Sequence, residues 1–126
     1  MKVIAFNGSA RKKGNTSMLL DLVLDELGGE GIETESYDLA GKEIKGCIAC
    51  YRCFKNKDRR CAVDDDVVNE CIDKMIEADG ILLGSPTYFA DLSASIKALI
   101  ERSGMVARAN DEMFRRKVGA GPLSVS

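Results

Sequence analysis

The sequence predicts an α/β fold of three layers, a doubly wound parallel sheet with helices on both faces. Two observations carry this. Short apolar runs suited to buried strands alternate with segments whose apolar residues recur at the helical period, and such alternation implies a parallel sheet. Right-handed crossovers then wind the sheet in both directions. A third observation is size: 126 residues and 13.7 kDa suit one domain, residues 1–126, around a single core.

The first element is an apolar run from Lys2 to Phe6, a strand that ends at Asn7-Gly8-Ser9. Asn15-Thr16-Ser17 offers N-cap residues for a helix over about 17–27, with Leu19, Leu22, Val23 and Leu27 on one face and Gly28-Gly29 at its end. Ile32 to Leu39 alternates in part and reads as the second strand. Residues 41–66 differ: cysteine-rich, charged and without clean periodicity, they form a long excursion. Asp64-Asp65-Asp66 suit the N-terminus of the next helix, whose stripe is Val67, Val68, Cys71, Ile72, Met75 and Ile76. Gly80 to Gly84 is a third buried strand, followed by the loop Ser85 to Phe89. A helix over about 91–103 turns Leu92, Ile96, Leu99 and Ile100 inward. Lys117 to Val125 reads as a fourth strand, weakened at Gly121-Pro122. Folds of this kind usually continue to a fifth strand and a closing helix, so the chain is expected to be truncated after its fourth strand, or completed by a partner.

Composition narrows the function. With 45% apolar and 30% charged residues the chain is neither disordered nor collagen-like. Its apolar runs fall far short of the roughly 20 residues that cross a bilayer. No apolar signal segment follows Met1, so a cytoplasmic protein is expected, with no membrane partner. A net charge of −2 gives no general affinity for nucleic acid. Histidine is absent, which excludes a Ser-His-Asp triad, a Cys-His pair and histidine metal sites. Five cysteines in such a chain point to a metal or redox site before disulfides.

In an open α/β sheet, ligands bind outside the carboxyl ends of the strands. The loop Asn7 to Ser17 lies there, at a helix N-terminus. Its backbone N–H groups, the hydroxyls of Ser9, Thr16 and Ser17, and the Asn15 amide suit a phosphate. It is neither a Walker loop nor a dinucleotide G-x-G-x-x-G loop. Its plainer reading is a solvated turn with two caps. The pattern Gly-Ser-x-Arg-x-x-Gly-Asn-Thr over Gly8–Thr16 resembles the phosphate loop of the NAD(P)H-dependent FMN reductases, which have the flavodoxin-like fold. The segment Gly84 to Ala94, then Lys97, is similar to that family's Ser-Pro-x-Tyr segment after the third strand. The resemblance runs from residue 1 to about 120. It implies that Ser9, Arg11, Asn15, Thr16 and Ser17 hold the FMN phosphate. It implies too that Pro86, Thr87, Tyr88 and Phe89 place the isoalloxazine ring. Pro86 stiffens that loop, and Tyr88 or Phe89 offers a flat apolar surface.

Cys47, Cys50, Cys53 and Cys61 read C-x2-C-x2-C-x7-C. Three thiols at three-residue intervals can converge on one cuboidal cluster, with a fourth arriving from farther along. Bacterial ferredoxins begin alike, but this chain lacks their short fourth spacing and following proline. The pattern, placed between second strand and second helix, resembles the iron–sulfur flavoproteins of anaerobic microbes. That resemblance implies a [4Fe–4S] cluster on these four cysteines beside FMN, and single-electron exchange with a ferredoxin-type carrier. Structural zinc and unligated thiols are the two alternatives for the same residues; zinc sites more often come as two separated pairs. Cys71 belongs to an apolar stripe and is expected in the core.

Between Lys45 and Cys61 stand six basic residues, Lys45, Arg52, Lys55, Lys57, Arg59 and Arg60, against one acidic, Asp58. They form either a basic collar that steers an acidic electron carrier or a solvated loop balanced by Asp64, Asp65 and Asp66. The expected function is thus an FMN-dependent oxidoreductase passing electrons between a [4Fe–4S] cluster, FMN and a ferredoxin-type or small-molecule partner, with NAD(P)H as a candidate reductant. The alternatives are an NAD(P)H-dependent FMN or quinone reductase without a cluster, and a non-enzymatic flavin- or metal-binding module. No side chain is assigned a catalytic role, since the cofactors carry the chemistry. An open sheet edge and the apolar residues Met105, Val106, Met113 and Phe114 point to a homo-oligomer, a dimer or tetramer, or to packing of those residues within one chain.

Overall fold

The computed structural model describes residues 1–11, 13–88 and 91–121, and the backbone of 123–125. In chain order its elements are β1 (Lys2–Asn7), α1 (Asn15–Gly29), β2 (Glu33–Asp38), α2 (Arg52–Asn56), α3 (Val68–Glu77), β3 (Gly80–Thr87), α4 (Ala94–Ala109), β4 (Val118–Ala120) and β5 (Leu123–Val125). The sheet order is β2-β1-β3-β4, with β5 also on β3, and every one of these pairings is parallel. The winding reverses between β1 and β3, the point at which such folds open a ligand crevice.

β1 is buried on both faces, as a central parallel strand must be. Its side chains alternate between two cores. Val3 and Ala5 meet Leu20 and Leu24 of α1 and Leu82 of β3. Ile4 and Phe6 meet Val68, Cys71 and Ile72 of α3 and Ile96 and Leu99 of α4. Helices therefore cover both faces, and the predicted three-layer, flavodoxin-like architecture is the observed one. Burial of Cys71 is complete, and it pushes the thiol up to about 12.

Four details differ from the sequence expectation. α1 starts at Asn15 behind Gly14 and turns Thr16, Leu20 and Leu24 inward, while Leu22 is 66% exposed. The rotation has a cause: Leu20 sits on Gly84, where a Cβ would lie 2.6 Å from its Cδ1. β3 continues through Ser85-Pro86-Thr87, residues expected to form a loop. β1 pairs with β3 only as far as Asn7 and Gly84, so the N–H that Pro86 lacks would have had no partner on that side. α4 extends to Ala109, and it buries Arg102 while Ile100 is 40% exposed. Finally, the fourth strand is two short pieces, β4 on Gly80–Leu82 and β5 on Ser85–Thr87; Pro122 lies outside the described residues.

Val106 is fully used in this chain's own core, and Met113 and Phe114 pack half-buried against it. Among the described residues, no helix is long and apolar enough to cross a membrane.

Candidate functional site

Three loops leave the carboxyl edge of the sheet, after β1, β2 and β3. The first is shaped by its own polar side chains. Gly8 N–H donates to Gly84 O at 2.8 Å, which ties the end of β1 to β3. The Asn7 carboxamide accepts from Ser9 N–H at 3.0 Å, and the Ser9 hydroxyl accepts from Arg11 N–H at 3.1 Å. Two successive side-chain turns thus curl the loop toward α1. Gly8 is required by the close approach of α4, because a Cβ there would fall 2.0 Å from Ile96 Cγ1.

The third loop is anchored as firmly. The Ser85 hydroxyl accepts from Ser93 N–H at 2.8 Å and donates to Pro86 O at 2.8 Å. Ser93 in turn caps α4 by accepting from Ile96 N–H at 3.4 Å. Ala10 N–H donates to the Tyr88 hydroxyl at 3.5 Å, bringing the two loops together. As a result Ser9, Arg11, Asn15, Thr16, Pro86 and Tyr88 line one pocket together with Gly14. Among the described residues, Ser17 and Thr87 do not line it; Phe89 lies outside the described residues. The N-terminus of α1 borders the pocket, and no acidic residue stands in its first turn. The helix dipole, buried hydroxyls at Ser9 and Thr16, and the Arg11 cation all suit an anion.

The excursion after β2 is built differently. Cys47, Cys50, Cys53 and Cys61 all line a second pocket, closed on one side by Arg102, Met105 and Val106 of α4. Cys47 and Cys50 are exposed, and Cys53 and Cys61 are half-buried. Cys53 lies on the short helix α2, which packs on α4 and which the sequence did not predict. Ala49, Tyr51, Lys57 and Arg59 all have left-handed backbone, at φ of 55°, 58°, 46° and 60°. Each such residue carries a local cost that the surroundings must hold in place. Ala49 N–H donates to Cys47 Sγ at 3.4 Å. Hydrogen bonding from the Arg52 backbone and side chain lowers the Cys50 thiol from its ordinary value, while burial raises that of Cys53. Among the described residues, no three Cys, Asp or Glu side chains gather closely enough for one metal ion. A cuboidal cluster takes one thiolate per iron and so needs thiols spread around a volume.

Two buried polar residues, unmarked in the sequence reading, fix this excursion. Asn69 exchanges hydrogen bonds with Cys61, from Cys61 N–H at 2.8 Å and to Cys61 O at 3.0 Å, and donates to Asp64 at 3.0 Å. Arg102 donates to the Asp66 carboxylate, to Lys45 O at 3.1 Å, to Val63 O at 2.6 Å and to Cys61 Sγ at 3.4 Å. Burial opposes the charge on Arg102, but Asp66 and Cys61 outweigh it and hold the guanidinium above its ordinary value. Burial likewise works to raise Asp66, yet hydrogen bonds from Arg102, Lys45 N–H and Val68 N–H keep it below the usual carboxylate range. The helical spacing Ile96, Leu99, Arg102, Val106 was the signal that an arginine continues a buried stripe.

The basic collar is partly spent internally. Lys45 pairs with Asp65 at 2.6 Å, and Arg60 with Asp64 at 3.3 Å and Asp73 at 3.5 Å. Among the described residues, Arg52, Lys55, Lys57 and Arg59 enter no ion pair.

The structure thus sets a flavodoxin-like sheet with a pocket suited to an anion at its β1/β3 switch point, and four cysteines lining a second pocket on the excursion after β2. The chain belongs to the NADPH-dependent FMN reductase family, whose model matches residues 1–126. It is 48% identical over 103 residues to an iron–sulfur flavoprotein of Methanocaldococcus jannaschii, covering 82% of this chain and 52% of that one. An iron–sulfur flavoprotein of Archaeoglobus fulgidus is 40% identical over 120 residues (95% and 57%), and one of Methanosarcina thermophila is 36% identical over 125 (99% and 63%). The chain thus spans little more than half the length of these relatives. Among solved structures, a flavone reductase superposes with a TM-score of 0.72 at 17% identity, covering 99% of this chain and 43% of that one. An NAD(P)H:quinone oxidoreductase from Methanothermobacter marburgensis gives 0.66 at 13%, covering 99% and 86%. These last two likenesses concern the fold.

Proposed function

We propose that this chain is the flavin-binding part of an FMN-dependent oxidoreductase that also carries a [4Fe–4S] cluster on Cys47, Cys50, Cys53 and Cys61. The observation that carries the reading is the sharing of one pocket by all four cysteines, on a chain whose β1 and β3 loops line an anion pocket. The residues present fit both groups. Ser9 and Thr16 supply hydroxyls, Arg11 a cation and α1 its N-terminus for the phosphate, and Pro86 and Tyr88 supply a stiff apolar edge for the ring. Amide and guanidinium donors to sulfur, from Ala49 and Arg102, suit thiolates bound to iron.

When bound, FMN supplies one- and two-electron exchange and a cluster supplies one-electron exchange. The protein's part is to hold, orient and shield. The loop after β1 would hold the phosphate, Pro86 and Tyr88 at the end of β3 would hold the ring, and Arg52 favours the thiolate form of Cys50. Lys55, Lys57 and Arg59 of the excursion, which enter no ion pair among the described residues, and exposed Ile48 and Tyr51 suit an acidic carrier of the ferredoxin type. NAD(P)H is the proposed small-molecule reductant, and the assembly a homo-oligomer.

Titration with FMN and FAD under anaerobic conditions tests the flavin half. FMN is expected to bind stoichiometrically and Thr16→Leu to weaken it. Preference for FAD, or no flavin bound, overturns it.

A further inference from the structure

Arg102 makes a contact beyond those that clasp the ends of the cysteine loop. Its side chain is 2% exposed and that of its partner Asp66 is fully buried. Burying a charged pair demands that its donors find partners, and three of them go to the carboxylate and to the carbonyls of Lys45 and Val63. These carbonyls stand just before Cys47 and just after Cys61, so one guanidinium fastens both ends of the cysteine loop to α4. A further N–H of the same guanidinium donates to the sulfur of Cys61.

Resting on the reading that the four cysteines hold a cluster, we propose that Arg102 is a positioning residue that sets the reduction potential of that cluster through Cys61. Reduction adds one electron, and so one negative charge, to the cluster and its thiolates. A fixed positive group hydrogen-bonded to one of those sulfurs stabilises the reduced state more than the oxidised one. Asp66 makes the pair neutral overall. Its hydrogen bonds run to Arg102 and to the N–H groups of Lys45 and Val68, so the positive end of the pair is the end at the sulfur.

The test is an anaerobic redox titration with dithionite, followed by absorbance and EPR, with iron counted in each sample. Arg102→Gln with its cluster in place is expected to favour the oxidised state by about tenfold, a fall of about 59 mV for one electron. Asp66→Asn removes the opposing charge and is expected to move the potential the other way. Opposite shifts distinguish this role from a loss of packing, which has no reason to change sign. Unchanged potentials in cluster-bearing variants overturn the inference alone, whereas wild-type protein that holds no cluster after reconstitution overturns the reading beneath it. Should both variants fail to fold, the Arg52→Lys protein labelled with guanidinium-15N arginine decides the matter. Pulsed EPR of its reduced cluster is expected to show a nitrogen coupling from Arg102, and its absence contradicts the inference.

Discussion

The loop after β1 and the excursion after β2 leave the same edge of the same sheet, yet they are held by different means. The first is short, and packing fixes it: Gly8 lies under Ile96, and Ser9 and Thr16 are buried. The second spans residues 41–66 with four non-glycine residues in left-handed backbone and two of its four cluster-candidate thiols exposed. It hangs on side-chain tethers that come from other elements, Asn69 of α3 and Arg102 of α4. A short loop can be specified by the strand and helix it joins. A long one needs hydrogen bonds bought from a distance in sequence, and these are the points at which it can be broken.

The largest expected effect therefore falls on Asp66, which holds the Arg102 tether. Asp66→Ala strands the Arg102 charge in a buried site, which costs about 3–5 kcal/mol. Urea denaturation is expected to report a loss of that order, and hydrogen exchange to rise across 45–66 before it rises in β1. Acid reaches the same pair. Because Asp66 is held below its ordinary 3.8, its contribution is complete above that pH and is lost as pH falls through the lower folded value. Stability of the wild type is expected to drop more steeply below pH 3.8 than that of Asp66→Asn.

Gly8→Ala attacks the other loop. A Cβ 2.0 Å from Ile96 forces overpacking worth about 1–3 kcal/mol. FMN affinity is expected to fall with it, while cluster content stays unchanged; a parallel loss of iron would mean that the two loops are not independent. Cys71→Ser is expected to cost about 1–3 kcal/mol, from a hydroxyl in an apolar core, with both cofactor sites intact. The smallest effect belongs to Lys57→Ala on the exposed excursion. It is expected to leave thermal stability unchanged and to weaken the salt dependence of electron transfer to an acidic carrier.

The same contrast explains what the sequence could reveal. Strand and helix order was legible because apolar periodicity is local, and β1, α3 and the first half of β3 show it without interruption. The pocket between the β1 and β3 loops was legible because its residues sit at fixed offsets from a strand end; Ser9, Arg11, Asn15, Thr16, Pro86 and Tyr88 share it, while, among the described residues, Ser17 and Thr87 do not line it. The inward face of α1 was misread because Leu20 is selected by the bare surface of Gly84, a residue 64 positions away in the chain. Arg102 and Asn69 were missed because a buried polar residue has no pattern of its own. Its partner is set by tertiary packing, and only its place in an apolar stripe gives it away.

Whether the four cysteines hold a cluster is decided by iron, acid-labile sulfide and flavin per chain in protein prepared without oxygen, for the wild type and for Cys53→Ser. About four irons and about four sulfides are expected with FMN in the wild type. In Cys53→Ser the iron and sulfide are expected to be lost with FMN retained. Equal iron in the two proteins, or a wild type that cannot be loaded with iron and sulfide, would contradict the cluster.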